Sequence, residues 1–334
     1  MSTPSAVATR ELTFAQAINE ALAEELRRDP SVFVIGEDVA EAGTPFKVLS
    51  GLVEEFGQER VLDSPISEAG ITGLGVGAAM TGLRPVVDIM FGDFLTLVMD
   101  QLVNQAAKVH YMSGGKLNVP LVVRTTLGAT RRSAAQHSQS LQAWVSHIPG
   151  LKVAIPSTPY DAKGLLKTAI RDDNPVVFIE DKLHYPLKGE VPVDEYTIAL
   201  GEADVKREGD DVTIVATSSM VQVSLAAAEL LEADGISAEV VDPRTTTPLD
   251  EETLVRSVEK TGRAIVVDEG HQRYGVTAEL AAVIAERAFY HLDAPVRRLG
   301  ALDVPIPFSP PLEDVTVATP ETVAQVAREL VGKD

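Results

Sequence analysis

The sequence predicts an α/β protein made of two open, mostly parallel sheets covered by helices on both faces. Three observations predict it. Short β-branched runs recur along the chain, apolar throughout rather than alternating, as strands buried on both faces are. Each is followed by a stretch with helical spacing, the alternation that builds parallel sheets with right-handed crossovers. A length of 334 residues exceeds one ordinary core, so two domains are expected.

The elements follow in order. A helix begins near Phe14, and strands are read at VFVIGED (32–38) and RVLDSP (60–65). A helix then spans the glycine-rich stretch from about Ser67, before a strand at RPVVDIM (84–90) and a helix from about Phe94 to Tyr111. PLVVRTT (120–126), LKVAIPS (151–157) and PVVFIED (175–181) are further strands. Thr158-Pro159, an N-cap with proline in the first turn, opens the helix between the last two. Residues 184–211, rich in proline, glycine and charge, read as a loop, giving a first domain over 1–190, a linker over 191–210 and a second domain over 211–334. The second domain alternates VTIVATSS (212–219), a helix to about Ala233, SAEVVDP (237–243), a helix from Asp250, AIVVDEG (264–270), a helix from Val276, VRRLGAL (296–302) and a helix from Pro320.

Composition excludes several functions. Lys and Arg number 29 against 49 Asp and Glu, a net charge of -20, which argues against nucleic acid or an anionic membrane and suits a basic protein partner. The chain has no cysteine, so disulfides, thiolate metal sites and cysteine nucleophiles are absent. No apolar run approaches the roughly 20 residues of a membrane span. MSTPSAVATRELTF lacks the apolar core of a secretion signal, so a cytoplasmic chain is expected.

Within 63–82, DSPISEAGITGLGVGAAMTG, Glu68 is the only acidic group after Asp63. GLGVGA (73–78) fits a dinucleotide pattern, but that pattern requires a strand running straight into the first glycine, and the strand here ends near Pro65. The glycines therefore fall inside the helix, where 70, 73 and 77 share a face that would let another helix approach closely. From position alone, Glu68 is a first-turn carboxylate favoured by exposed amides and the macrodipole. Six histidines show no H-x-x-x-H pair, and G-x-S-x-G is missing. His137, in AAQHSQS, follows a parallel strand, where α/β proteins place ligands; it reads equally as a ligand-facing and as a solvated residue. Arg131-Arg132 reads as a solvated pair or an anion holder, and His271 has no partner legible in the sequence.

Taken together, GEDVAEAGTPFKV (36–48), DSPISEAGITGLGVGAAMTGLRP (63–85), DQLVNQAAKVHYMSGG (100–115), AAQHSQS (134–140), PGLKVAIPSTPYDAKGLLKTAIRDDNPVVFIE (149–180) and LDVPIPFSPPLED (302–314) resemble the beta subunit of the thiamine-diphosphate-dependent decarboxylase component of 2-oxoacid dehydrogenase complexes, in the transketolase-like group. The resemblance runs from about Glu11 to Val331. It implies a pyrimidine-binding domain followed by a C-terminal transketolase-like domain.

The resemblance gives Glu68, with Gly73, Leu74 and Gly77 after it, the role of hydrogen-bonding a ring nitrogen of the cofactor's aminopyrimidine. A carboxyl kept from water has a raised pKa and can share a proton with such a nitrogen, activating the cofactor rather than the substrate. By the same alignment Glu37, Ile66 and Ser67 border the pyrimidine, Phe94 stacks on it, and His137 handles a proton or orients the lipoyl group. A core aromatic is the plainer account of Phe94. Leu121, Ala169, Ile170, Asp172 and Asn174 would form a potassium site built mainly from carbonyl oxygens, though AIRDDNP also reads as a simple helix-ending turn.

The Gly-Asp-Gly sequence that carries Mg²⁺ in the family does not occur, so the alpha subunit is expected to bind Mg²⁺ and the diphosphate. The resemblance implies two alpha and two beta chains, with cofactors between alpha and beta and the glycine helix near the beta–beta contact. It also implies that the second domain holds the beta pair together and meets the lipoyl acyltransferase core, whose basic binding module an acidic surface would suit. The expected reaction is oxidative decarboxylation of a 2-oxo acid, with AAQHSQS pointing to pyruvate or acetoin before branched-chain substrates. A nicotinamide oxidoreductase resting on GLGVGA and a non-catalytic scaffold are the readings from other classes.

Overall fold

The computed structural model describes residues 8–129 and 131–332, so residues 1–7, the start of the segment read for a secretion signal, lie outside it. Its strands are β1 Thr9–Thr13, β2 Val32–Gly36, β3 Val61–Asp63, β4 Arg84–Ile89, β5 Val122–Leu127, β6 Lys152–Ala154, β7 Val176–Asp181, β8 Lys188–Pro192, β9 Asp204–Arg207, β10 Val212–Ala216, β11 Ala238–Asp242, β12 Thr245–Thr247, β13 Ala264–His271 and β14 Arg297–Ala301. Among the described residues they form a seven-stranded sheet ordered β12-β6-β7-β5-β4-β2-β3, a five-stranded sheet ordered β14-β13-β10-β11-β9, and the antiparallel pair β1-β8. Every pairing within the two large sheets is parallel except β12 with β6 and β9 with β11, both at edges.

The continuous apolar runs are explained by burial on both faces. In β2, Val32 and Val34 join one core layer, while Phe33 and Ile35 join the other. In the second sheet Ile214, Val240 and Ile265 face one layer, and Val215, Val241 and Val266 face the opposite one. Successive side chains point to opposite faces, so a strand buried on both sides has no polar positions to alternate with.

Three features differ from the expectations. Residues 184–211 are not all loop, since β8 and β9 lie within them. Such short polar strands carry no apolar run; β8 pairs with β1, distant in sequence, and β9 is itself a sheet edge. The helix expected from Phe94 to Tyr111 spans Leu95–Met112 with a π-helical middle, Asp100–Ala106. The third concerns the glycine face of the helix Glu68–Met80. A Cβ on Gly73 would meet the side chain of Gln101 at 3.7 Å, on the neighbouring helix, whereas one on Gly77 would meet nothing within 4 Å, so among the described residues the Gly77 end of that face is uncovered. The close approach is at Gly75, on the inner face, where a Cβ would stand 2.6 Å from Val87 Cγ2.

Candidate active site

The carboxyl ends of β2, β4, β5 and β7 meet at one pole of the first sheet, and the residues of interest follow those ends. Glu37 comes directly after β2. Glu68 is the first residue of the helix Glu68–Met80, and Ser67 before it makes no side-chain cap. Glu68 is a buried residue, 8% exposed overall, and among the described residues its carboxylate makes no hydrogen bond or ion pair. A carboxylate with no protein partner keeps its acceptor sites free for a ligand donor. Beside it, Glu37 Oε1 is buried without a partner. Burial pushes the Glu37 carboxyl above the usual range, and the charges of Glu68, Asp38 and Asp88 push it further. Ile66, 81% exposed, lies next to this acidic pair at the helix entrance.

Beneath Glu37 lies a buried charge cluster that the sequence reading did not identify. Arg124 on β5 forms ion pairs with Asp88 on β4 and Glu180 on β7, and Tyr185 Oη donates to Glu180 at 2.9 Å. One guanidinium serves two carboxylates, and burial outweighs the pairing, pushing both carboxyls up. The signal was present in the sequence: RPVVDIM, PLVVRTT and PVVFIED each set a charge inside an apolar run, and Asp88 and Arg124 fall in register on neighbouring strands.

Phe91, Phe94 and His137 form the aromatic wall. The His137 ring lies 4.5 Å from Phe91 and 5.5 Å from Phe94, centroid to centroid, both edge-on. Gly92 makes this possible, because a Cβ there would stand 2.4 Å from the Thr126 carbonyl oxygen at the end of β5. The loop carrying His137 is strained, with φ of 60° at both Arg132 and Ala134. Side chains hold it. Arg132 pairs with Glu313 at 2.6 Å and Asp314 at 2.7 Å, Gln139 donates from its backbone and side chain to Asp93, and Lys182 Nζ donates to the His137 carbonyl. Arg131 donates to the Lys182 carbonyl and stacks over Phe46. His271 is bonded through Nδ1 to the Leu302 carbonyl, a partner far away in sequence.

The structure thus gathers Glu37, Ile66, Ser67, Glu68, Phe94 and His137 at one pole. The residues read as a cation site lie at the other, beside the first residues of β4, β5 and β7. Arg84 donates to the carbonyls of Ile170 and Asp172 at 3.1 and 3.0 Å, Ala169 and Leu121 accept from backbone amides, and Asn174 bonds the Asp172 side chain. The set is all oxygen, the donor chemistry a hard cation takes, and two of its carbonyls already accept from the Arg84 guanidinium. Among the described residues no group of three or more acidic or histidine side chains could hold a metal. A cleft of ≈880 Å³ lined by Trp144, His147 and Tyr274 shares no residue with the Glu68 pole.

Residues 10–188 match the family described as the transketolase pyrimidine binding domain, and residues 201–323 match the transketolase C-terminal domain. The chain is 51% identical to the acetoin:2,6-dichlorophenolindophenol oxidoreductase subunit beta of Bacillus subtilis (strain 168), over 97% of this chain and 98% of that protein. It is 48% identical to the pyruvate dehydrogenase E1 component subunit beta of the same bacterium (96% and 99% covered) and 47% identical to its 2-oxoisovalerate dehydrogenase subunit beta (96% and 98%). Among solved structures, a split gene transketolase, an inactive beta4 tetramer, superposes with a TM-score of 0.80 at 24% identity, covering 96% of this chain and 98% of that one, a likeness of fold.

Proposed function

Since this chain belongs to the transketolase-like beta subunits of the thiamine-diphosphate-dependent 2-oxoacid dehydrogenases, we propose that it supplies the pyrimidine half of a cofactor site completed by an alpha subunit. The assembled enzyme oxidatively decarboxylates pyruvate and passes the acyl unit to lipoamide on an acyltransferase core. The observation that carries this reading is the Glu68 carboxylate, without a partner among the described residues, beside Glu37, whose buried Oε1 also lacks one and whose carboxyl burial pushes up, at the carboxyl ends of the strands.

Thiamine diphosphate, when bound, supplies a nucleophilic carbon and a sink for the electrons released by decarboxylation. Glu68 would hydrogen-bond the pyrimidine ring nitrogen and so orient the ring. Glu37, Ile66 and Ser67 border the ring. Phe94 offers an aromatic face and, with Phe91, fixes the plane of His137. His137 gives or takes a proton during acyl transfer. Mg²⁺ belongs to the alpha subunit, and the Leu121, Ala169, Ile170, Asp172 and Asn174 set holds K⁺ as a structural ion. The assembly is two alpha and two beta chains in the cytoplasm; among the described residues no helix is long and apolar enough to cross a membrane. Acetoin is the second candidate substrate, favoured by the 51% identity to an acetoin-oxidising relative.

The test is a thiamine diphosphate titration with Mg²⁺, on the chain alone and on the chain co-expressed with its alpha subunit, in potassium and in sodium buffer. Dye-coupled turnover of pyruvate and of acetoin is measured alongside. Only the pair is expected to bind and turn over, more tightly in potassium, and Glu68→Gln is expected to abolish turnover without lowering the melting temperature. Tight binding by the chain alone, or an active Glu68→Gln enzyme, would refute the split site.

A further inference from the structure

Lys182, the first residue after β7, is 1% exposed. Its ammonium has three donors, and among the described residues its one hydrogen-bond acceptor is the backbone carbonyl of His137. The same Nζ lies 5.6 Å from the Phe91 ring centroid, on the ring against which His137 packs. Burial pulls the ammonium pKa down, while Glu269, Asp93, Asp181 and Glu313 stabilise the charge without contact close enough for an ion pair. A buried cation with a single carbonyl partner is expensive, and core packing does not require one. What it does achieve is to pin one carbonyl in a loop that otherwise stands at two unfavourable left-handed φ values. Gln139, bonded to Asp93 at 2.9 Å, pins the same loop two residues further on.

We propose that Lys182 is a positioning residue for acyl transfer, holding His137 at the reach the lipoyl group requires. This rests on the role proposed above for His137. In that step the lipoyl disulfide is the oxidant. Its S–S bond would break as one sulfur bonds the acyl carbon, the other sulfur keeping the S–S electron pair and taking one proton from His137, while the acyl carbon loses its hydroxyl proton and its bond to the cofactor, which retains that pair. Decarboxylation, which depends on Glu68, precedes this step and does not use Lys182. The two half-reactions therefore separate a positioning role from a general structural one.

The experiment uses the assembled alpha–beta enzyme as wild type, Lys182→Met, Gln139→Leu and His137→Ala. Two rates are read: substrate-dependent reduction of 2,6-dichlorophenolindophenol, which reports decarboxylation, and acylation of an isolated lipoyl domain. Lys182→Met is expected to slow acylation about 100-fold, the cost of displacing a reacting group by about 1 Å, and to change dye reduction less than about twofold. Gln139→Leu, which frees the loop at its other anchor, should show the same split and serves if Lys182→Met does not fold. Equal loss of both rates, or loss of neither, overturns the proposal. If His137→Ala leaves acylation intact, the role of His137 fails first and the proposal fails with it.

Discussion

Asp242 is fully buried beside Asp161, Lys206 and Arg244, where three carboxylates, counting Asp204, face two cations. Burial and then Asp161 push its carboxyl from 3.8 to about 6. The folded chain therefore holds this proton more tightly than the unfolded chain. The stability it contributes is complete below pH 3.8 and is lost as pH rises through about 6, a difference of order 3 kcal/mol. Asp161, held low by Lys206 and Arg244, gives up its contribution only in stronger acid, outside this window. Asp242→Asn stays neutral at every pH. Urea melts are expected to show it gaining on the wild type between about pH 4 and 6.5 and levelling off above. A constant difference across that range would mean the proton is not held at Asp242. Glu68 and Asp242 are both acids of buried residues, but Asp242 has partners and Glu68 has none among the described residues, which is why Glu68 and not Asp242 reads as a waiting site.

The helix Glu68–Met80 presents two faces with opposite requirements. Its inner face packs Ile71, Gly75, Val76 and Ala79 against the sheet, and Gly75 meets Val87 too closely for a methyl group. Its outer face leaves Gly70, Leu74, Gly77 and Met80 exposed. Gly75→Ala is expected to cost about 1–3 kcal/mol through overpacking. Gly77→Ala, with nothing within 4 Å, should stabilise the isolated chain by about 0.5–1 kcal/mol through helix propensity. The same Gly77→Ala should weaken assembly, because a partner chain covers that face in the proposed enzyme. Denaturation of the isolated chain and sedimentation of the assembled one check the pair. Assembly unaffected by Gly77→Ala would place the subunit contact elsewhere.

Across the whole molecule, the two halves interlock. β12, from the second half, extends the first sheet through β6, and Ile155 donates its amide to the Arg244 carbonyl. Arg244 pairs at 2.7 Å with Asp161, which lies on the helix Pro159–Arg171 of the first half, and at 2.9 Å with Asp204 on β9. Calorimetry of the wild type is therefore expected to show one cooperative transition, since neither half can open without exposing a sheet edge and buried charges. Arg244→Met leaves three carboxylates with Lys206 alone and should cost about 3–5 kcal/mol. Two separated wild-type transitions would show that the halves are independent.

The sequence by itself determined the class of fold, the order of the main strands and helices, and the position of Glu68 at a helix start. These depend on local patterns, namely apolar runs, caps and spacing, which adjacent residues carry. It also placed Glu37, Phe94 and His137 in one site, but only through resemblance, because they lie on separate loops that no local pattern connects. Only the tertiary structure decided that Glu68 is a buried residue whose carboxylate has no partner among the described residues, that Gly77 faces open space, and that Arg124 holds Asp88 and Glu180. It alone revealed Lys182 and Arg132 as supports of the His137 loop. Burial and pairing arise between residues dozens to hundreds of positions apart, and those distances exist only once the strands are in register and the two halves are docked.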